Sequence, residues 1–234
     1  AADAYMAGGA DTAFGHFAAH YDAQTAAGAK HGLNKLVSNF GPAQIDRAVL
    51  DALCRLEGVS FYDAMRGNRA GIDPSRLATH AGDLAGFDIA AFLARLSPAA
   101  SVAARHTVGL VDVIAGHPNQ VNDGLPESLE EVVAAYGHTY LKLKVGGDPQ
   151  ADLARLTEIA AVLDRIEAPY VAALDGNEQY NDLGALLDLW RRMTEAPALK
   201  RLVASIAFIE QPITRAHALD GDISALSTVK PVII

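Results

Sequence analysis

The sequence predicts an α/β protein, parallel strand–helix units behind a helical amino-terminal third, on three observations. From about residue 107, short apolar runs at 107–114, 140–145, 170–174, 206–209 and 232–234 alternate with amphipathic segments such as ESLEEVVAAYG and PQADLARLTEIAAVLDRI. The first hundred residues carry apolar spacings of three and four and no comparable strand signal. Charged residues recur at the carboxyl ends of the runs. Two architectures satisfy the alternation: a (β/α) TIM-type barrel of which about half is spelled out, since eight units take roughly 250 residues, or a doubly wound open sheet, which five strands complete.

Composition narrows the function classes. Of 234 residues 50% are hydrophobic and 20% charged, enough for a large buried core and too apolar for a disordered chain. A net charge of -9 argues against nucleic acid or an anionic membrane surface as partner. No run approaches the roughly 18 apolar residues of a membrane span. Cys54 is the single cysteine, so no internal disulfide forms; this fits a reducing, cytoplasmic setting. It lies in the apolar-periodic stretch IDRAVLDALCRLEG and reads as a small buried residue. The opening AADAYMAGGA has neither an initiator Met nor the basic start of a signal peptide, so a processed or internal start is expected.

Element by element, Ile45, Val49, Leu50, Leu53 and Leu56 define a helix with Pro42 near its start and Gly58 after its last turn. MRGNRAGIDPS reads as a connection. FDIAAFLARL predicts a helix from Asp88 to Leu96, ending before Pro98. Further on, ESLEEVVAAYG, PQADLARLTEIAAVLDRI, LGALLDLWRRM and a looser ITRAHALDGDISALS are the helices between strands; Leu186 and Trp190 are read as packing against the sheet. Among the histidines only His16 and His20 stand four apart on one helix, without the Glu of a HExxH site, and are read as core or surface residues. Gly146-Gly147 ahead of a helix is a weak phosphate-cradle signal.

The strand ends carry the chemistry. Period two puts Tyr140, Lys142 and Lys144 on one face and Leu141, Leu143 and Val145 on the other. Parallel sheets are normally covered on both faces, so two inward lysines need a reason. Asp175 follows the third run, with Asn177 and Glu178 in the next turn, and Glu210 occupies the same place after the fourth. Two lysines and two carboxylates at the ends of successive parallel strands stand where α/β barrels keep their active sites. Carboxylates from adjacent strands make a hard-oxygen site suited to Mg²⁺. Such a cation stabilises an enediolate while a base removes the α-proton of a carboxylate substrate. Lys142 and Lys144, about 7 Å apart along the strand, would repel by about 2 kcal/mol at an effective dielectric near 20, which lowers a lysine pKa toward that of a working base.

KLKVGG, LDGNEQY, FIEQP and KPVII, in this order and spacing, resemble the enolase superfamily, in its mandelate racemase and muconate-lactonizing branch. AQIDRAVLDALCRLEGVSFYDAMRG is similar to the helix that closes that family's capping domain; residues 1–42 match no motif. The resemblance implies about the first five strands of a TIM-type barrel over 107–234, preceded by the mostly helical part of an α+β capping domain over 1–106. It implies Asp175 and Glu210 as Mg²⁺ ligands, Lys144 as catalytic base, Lys142 as the group that contacts the substrate carboxylate and tunes its neighbour, and Asn177 as a substrate hydrogen-bonder. The implied activity is a lyase or isomerase: racemase, epimerase, dehydratase or cycloisomerase acting on a small-molecule carboxylate, in a homo-oligomer. The family's third carboxylate, opposite-face acid or base and last three strands would lie beyond Ile234, so the chain is expected to be part of a longer enzyme. The competing expectations are a Schiff-base barrel aldolase using Lys142 or Lys144 and a non-catalytic α/β ligand-binding module.

Overall fold

The computed structural model describes residues 2–116, 121, 123–215, 217–218 and 223–234. The chain divides into two compact units, Ala1–Ala100 and Ser101–Ile234.

The described residues of the first unit form helices and turns and no strand. Helices α1 (Ala2–Ala7), α2 (Ala13–Ala29) and α3 (Lys35–Ser38) precede the long α4 (Phe40–Glu57). Thr12 caps α2 by accepting from the Gly15 backbone, and a two-bond pair from Arg76 to Asp11, each 2.7 Å, holds that cap against a later turn. Helix α4 ends where expected, with Gly58 in the left-handed region at φ 65°. Cys54 is buried on its apolar face, whereas Leu56, in the last turn of the same stripe, is 85% exposed and adds nothing to the core.

The stretch MRGNRAGIDPS begins in the last turn of α5 (Phe61–Arg66) and is closed by Asn68, whose side chain donates to the Ile72 carbonyl and accepts from the Ile72 amide. A 3₁₀ turn at Pro74–Leu77, α6 (Ala78–Ala81), a second 3₁₀ turn at Gly82–Gly86 and α7 (Ile89–Ala94) follow. Helix α7 starts at its Asp88 cap but stops two residues short of the expected Leu96.

The second unit is an α/β layer built on one five-stranded, all-parallel sheet: β1 (Arg105–Val108), β2 (Tyr140–Lys144), β3 (Val171–Asp175), β4 (Ile206–Glu210) and β5 (Val232–Ile233). Helices α8 (Leu129–Tyr136), α9 (Pro149–Leu163), α10 (Leu183–Glu195), α11 (Lys200–Ser205) and α12 (Ser224–Ser227) lie between them in the chain. The strands stand side by side in sequence order, β1-β2-β3-β4-β5. A doubly wound sheet reverses its strand order part-way, so this order differs from that alternative.

Two corrections concern extent. The first run, expected over 107–114, is a strand only from Arg105 to Val108. At Gly109 the chain turns, its amide donating to Asp112 Oδ2 at 2.7 Å, and Val113 makes an isolated bridge to Ser128. Among the described residues of ITRAHALDGDISALS, Ser224–Ser227 is helix; 216 and 219–222 lie outside the described residues. Helix α11, which apolar periodicity did not signal, follows a 3₁₀ turn at Pro197–Leu199 and runs directly into β4.

The register sorts the sheet into two faces. On one, Val108, Leu141, Leu143, Leu174 and Ile209 are buried in a cluster with Leu156, Ile159 and Leu163 of α9, Leu186, Leu189 and Met193 of α10, and Leu202 of α11; Trp190 packs at its margin. On the other, Thr107, Lys142, Ala173 and Phe208 form one row across β1 to β4, and Lys144, Asp175, Glu210 and Ile233 form the next across β2 to β5. No helix among the described residues is long and apolar enough to cross a membrane. Because Leu143 is wholly buried at the centre of the cluster, Leu143→Ala should cost about 2–5 kcal/mol in urea unfolding. Leu56→Ala, at an exposed site, should leave the midpoint nearly unchanged.

Candidate functional site

The charged row stands at the carboxyl ends of β2, β3 and β4. Asp175 has no exposed surface, an environment that tolerates a carboxylate only if its charge is compensated. Its Oδ1 accepts from the Asn177 backbone amide at 2.8 Å, which folds the chain into a tight turn with Asn177 at φ 47°. Its Oδ2 lies 2.7 Å from Lys142 Nζ, an ion pair that compensates the charge of this buried oxygen. The same ammonium donates to Glu210 Oε2 at 2.8 Å, and Arg105 pairs with Glu210 Oε1. Lys142 belongs to the row below, yet its four-carbon stem brings the ammonium up between the two carboxylates.

These contacts correct the expected lysine electrostatics. Burial disfavours the charge on Lys142, but Asp175 and Glu210 outweigh it and hold its pKa above the ordinary value rather than below it. Mutual repulsion with Lys144 does not produce a free base at Lys142. Burial likewise works against charge on Glu210, and Lys142 and Arg105 overcome it, so the carboxyl sits below its usual range. Lys144 takes a different partner: its Nζ donates to Asn177 Oδ1, a neutral amide, at 2.9 Å.

The loops beyond these strands are tied to one another. Gly176 N donates to the Glu210 carbonyl at 2.9 Å and Glu178 N to the Gln211 carbonyl at 3.2 Å. Three successive-loop residues other than glycine, Asn177, Glu178 (φ 62°) and Gln211 (φ 42°), adopt left-handed backbone, strain that surrounding structure must hold in place and that concentrates at functional sites. Arg215 pairs with Glu178 at 2.5 Å across the same two loops. A Cβ at Gly147, where φ is 96°, would stand 2.6 Å from the Gln179 carbonyl oxygen; the loop after β2 therefore needs glycine to lie against the loop after β3.

Several participants went unread in the sequence. Asp152, 5% exposed, accepts from the amides of Gly146 (2.7 Å) and Gly147 (3.0 Å) and from the Tyr180 hydroxyl (2.7 Å). Both amides of the suggested phosphate cradle are thus already satisfied by the protein's own carboxylate. The signal was available: Asp152 precedes Leu156, Ile159 and Leu163 on the buried stripe of α9, where an acid requires a partner. Arg105 went unread because the first strand was expected to begin at 107; two residues earlier it is in phase with Thr107 and on the charged face. His16 and His20 sit beside Tyr5, with ring centroids 6.0 and 4.9 Å away. Among the described residues no group of three or more His, Cys, Asp or Glu side chains is arranged to hold a metal.

Comparison with protein-family models, with curated proteins and with solved structures returns no match. The suitability of the site for a cation therefore rests on its own donor set. Asp175 and Glu210 are register partners whose hard oxygens converge on one ammonium, a position of positive charge between two carboxylates. Two carboxylates suffice for Mg²⁺, which keeps several waters or substrate oxygens. The residues present fit such an ion.

The ion pairs fix a pH dependence. Glu210, held below its ordinary pKa near 4.3, contributes stability that is complete above that pH and lost as pH falls through the lower folded value. Lys142, held above about 10.4, contributes until pH rises through its higher folded value. Glu210→Gln should therefore lower stability at neutral pH by about 1–3 kcal/mol and flatten the acid limb of a pH–stability curve. An acid limb as steep as that of the parent would remove Glu210 from the account.

Proposed function

We propose that the chain carries the proton-abstracting residues of a Mg²⁺-dependent enzyme that removes the α-proton of a small carboxylate substrate, in racemisation, epimerisation, dehydration or cycloisomerisation. The observation that carries this reading is the convergence of Lys142, Lys144, Asp175 and Glu210 on one sheet face at the carboxyl ends of three adjacent parallel strands. In-sequence strand order with the packed helices on the other face supports reading the second unit as the first strands of a TIM-type barrel, the charged face being its interior. The resemblance of the helical first unit to a capping domain belongs to the same reading.

In this reading Asp175 and Glu210 would hold a divalent cation, which when bound would supply electrostatic stabilisation of the negative charge developing on the substrate carboxylate. Lys144 is the base. Its Nζ meets an uncharged amide rather than a carboxylate, whereas Lys142, before a cation enters, lies between two carboxylates that favour its charged form. The α-proton passes to Lys144 Nζ. Lys142 stays cationic and orients the substrate carboxylate, while Asn177 sets the position of Lys144 Nζ and offers its amide to substrate oxygens. A lysine that must be neutral to attack a carbonyl is poorly served by the surroundings of Lys142, which disfavours that residue as a Schiff-base nucleophile.

Lys144→Met should abolish divalent-cation-dependent exchange of the α-hydrogen of carboxylate substrates with deuterated water, read by NMR, while leaving the fold intact by circular dichroism. Exchange at the parent rate in that variant would sink the assignment of the base.

A further inference from the structure

We propose that Lys142 is an exchangeable counter-ion: a divalent cation enters between Asp175 and Glu210 by displacing its ammonium, and the exchange couples cation binding to the binding of a carboxylate anion. The inference rests on the two-carboxylate cation site proposed above and adds a rule for how that site fills.

All four carboxylate oxygens are already engaged. Asp175 Oδ1 is committed to the Asn177 amide, Oδ2 lies 2.7 Å from Lys142 Nζ, Glu210 Oε2 is 2.8 Å from the same nitrogen, and Glu210 Oε1 faces Arg105. Two carboxylates against one ammonium and one guanidinium make a locally neutral set. A divalent cation added on top would place uncompensated charge beside a side chain with no exposed surface, where screening is weak. Steric demand agrees, because Asp175 Oδ2 is the one oxygen of that buried carboxylate outside the turn, and an ammonium in contact with it stands where a metal ion must.

The ammonium can leave. Lysine carries a point charge on a flexible stem, unlike the planar fork of arginine, and the side chain of Lys142 is 18% exposed. What it meets on leaving decides the coupling. The other residues of its sheet face are Arg105, Thr107, Tyr140, Lys144, Val171, Ala173, Phe208 and Ile233, none of them acidic. The displaced ammonium joins Lys144 on a face without further negative charge, and an anion is required to balance it. Cation and carboxylate therefore favour one another, and by linkage each strengthens the other by the same factor.

Mn²⁺ binding, followed by the electron paramagnetic resonance of the free ion, tests this on the full chain with sodium acetate against sodium chloride at matched ionic strength. Acetate should tighten Mn²⁺ binding to the parent protein by about tenfold. Lys142→Met and Lys142→Gln, each checked by circular dichroism, should bind Mn²⁺ about tenfold more tightly than the parent in chloride and lose most of the acetate effect. Parent binding indifferent to acetate, or folded variants that bind no tighter, overturns the counter-ion proposal and leaves the cation site standing. Absence of Mn²⁺ binding in the parent with acetate, or binding undiminished in Asp175→Asn, overturns the cation site itself and the inference with it.

Discussion

A carboxylate with no solvent exposure at the end of a parallel strand is the constraint on which this site turns. Asp175 can be charged there only if donors and cations replace the water it has lost. The need is met from two directions: the chain bends back so that the Asn177 amide reaches one oxygen, and Lys142 rises from the neighbouring strand to stand against the other. Glu210, one strand on and in register, shares the same ammonium. Because the lysine belongs to a lower row than the acids, the cluster exists only in this register; a one-residue slip of β2 would send Lys142 and Lys144 to the apolar face.

The scaffold holds that arrangement by means unrelated to charge. Leu141 and Leu143 alternate with Lys142 and Lys144, so burying the leucines under α9 aims the lysines at the opposite face. Asp152 and Tyr180 brace the glycine turn after β2, and the turn after β3 accepts left-handed backbone at Asn177 and Glu178. The loops of β3 and β4 are joined by backbone hydrogen bonds and by the Glu178–Arg215 pair. Strained positions persist where contacts over-determine them, and here they surround the four charged side chains.

Much of this was legible from residue order alone. Alternation in YLKLK, the acids closing two apolar runs and Gly58 as a helix stop each express a local rule, and β2, β3 and β4 lie within a residue of the runs those rules mark, whereas β1 ends six residues before its run does. Properties set by tertiary proximity were not legible. Spacing along β2 implied two lysines repelling one another, but charge balance is decided by what adjacent strands bring: Lys142 faces two carboxylates, and its pKa moves up rather than down. Likewise, Gly146-Gly147 resembled an anion cradle until Asp152, five to six residues onward, occupied both amides. Arg105 was missed because a four-residue strand that follows two alanines and begins with a charged residue gives little periodicity to count.

The cation site proposed at Asp175 and Glu210, filled by Lys142 until a metal takes its place, is open to direct observation. Anomalous diffraction from crystals grown with Mn²⁺ and a carboxylate tests it most directly. The predicted result is an anomalous peak bonded to Asp175 and Glu210, with the Lys142 ammonium withdrawn from between them. Lys142 still bridging the two acids with no peak there, under conditions in which Mn²⁺ binds elsewhere on the protein, would contradict it.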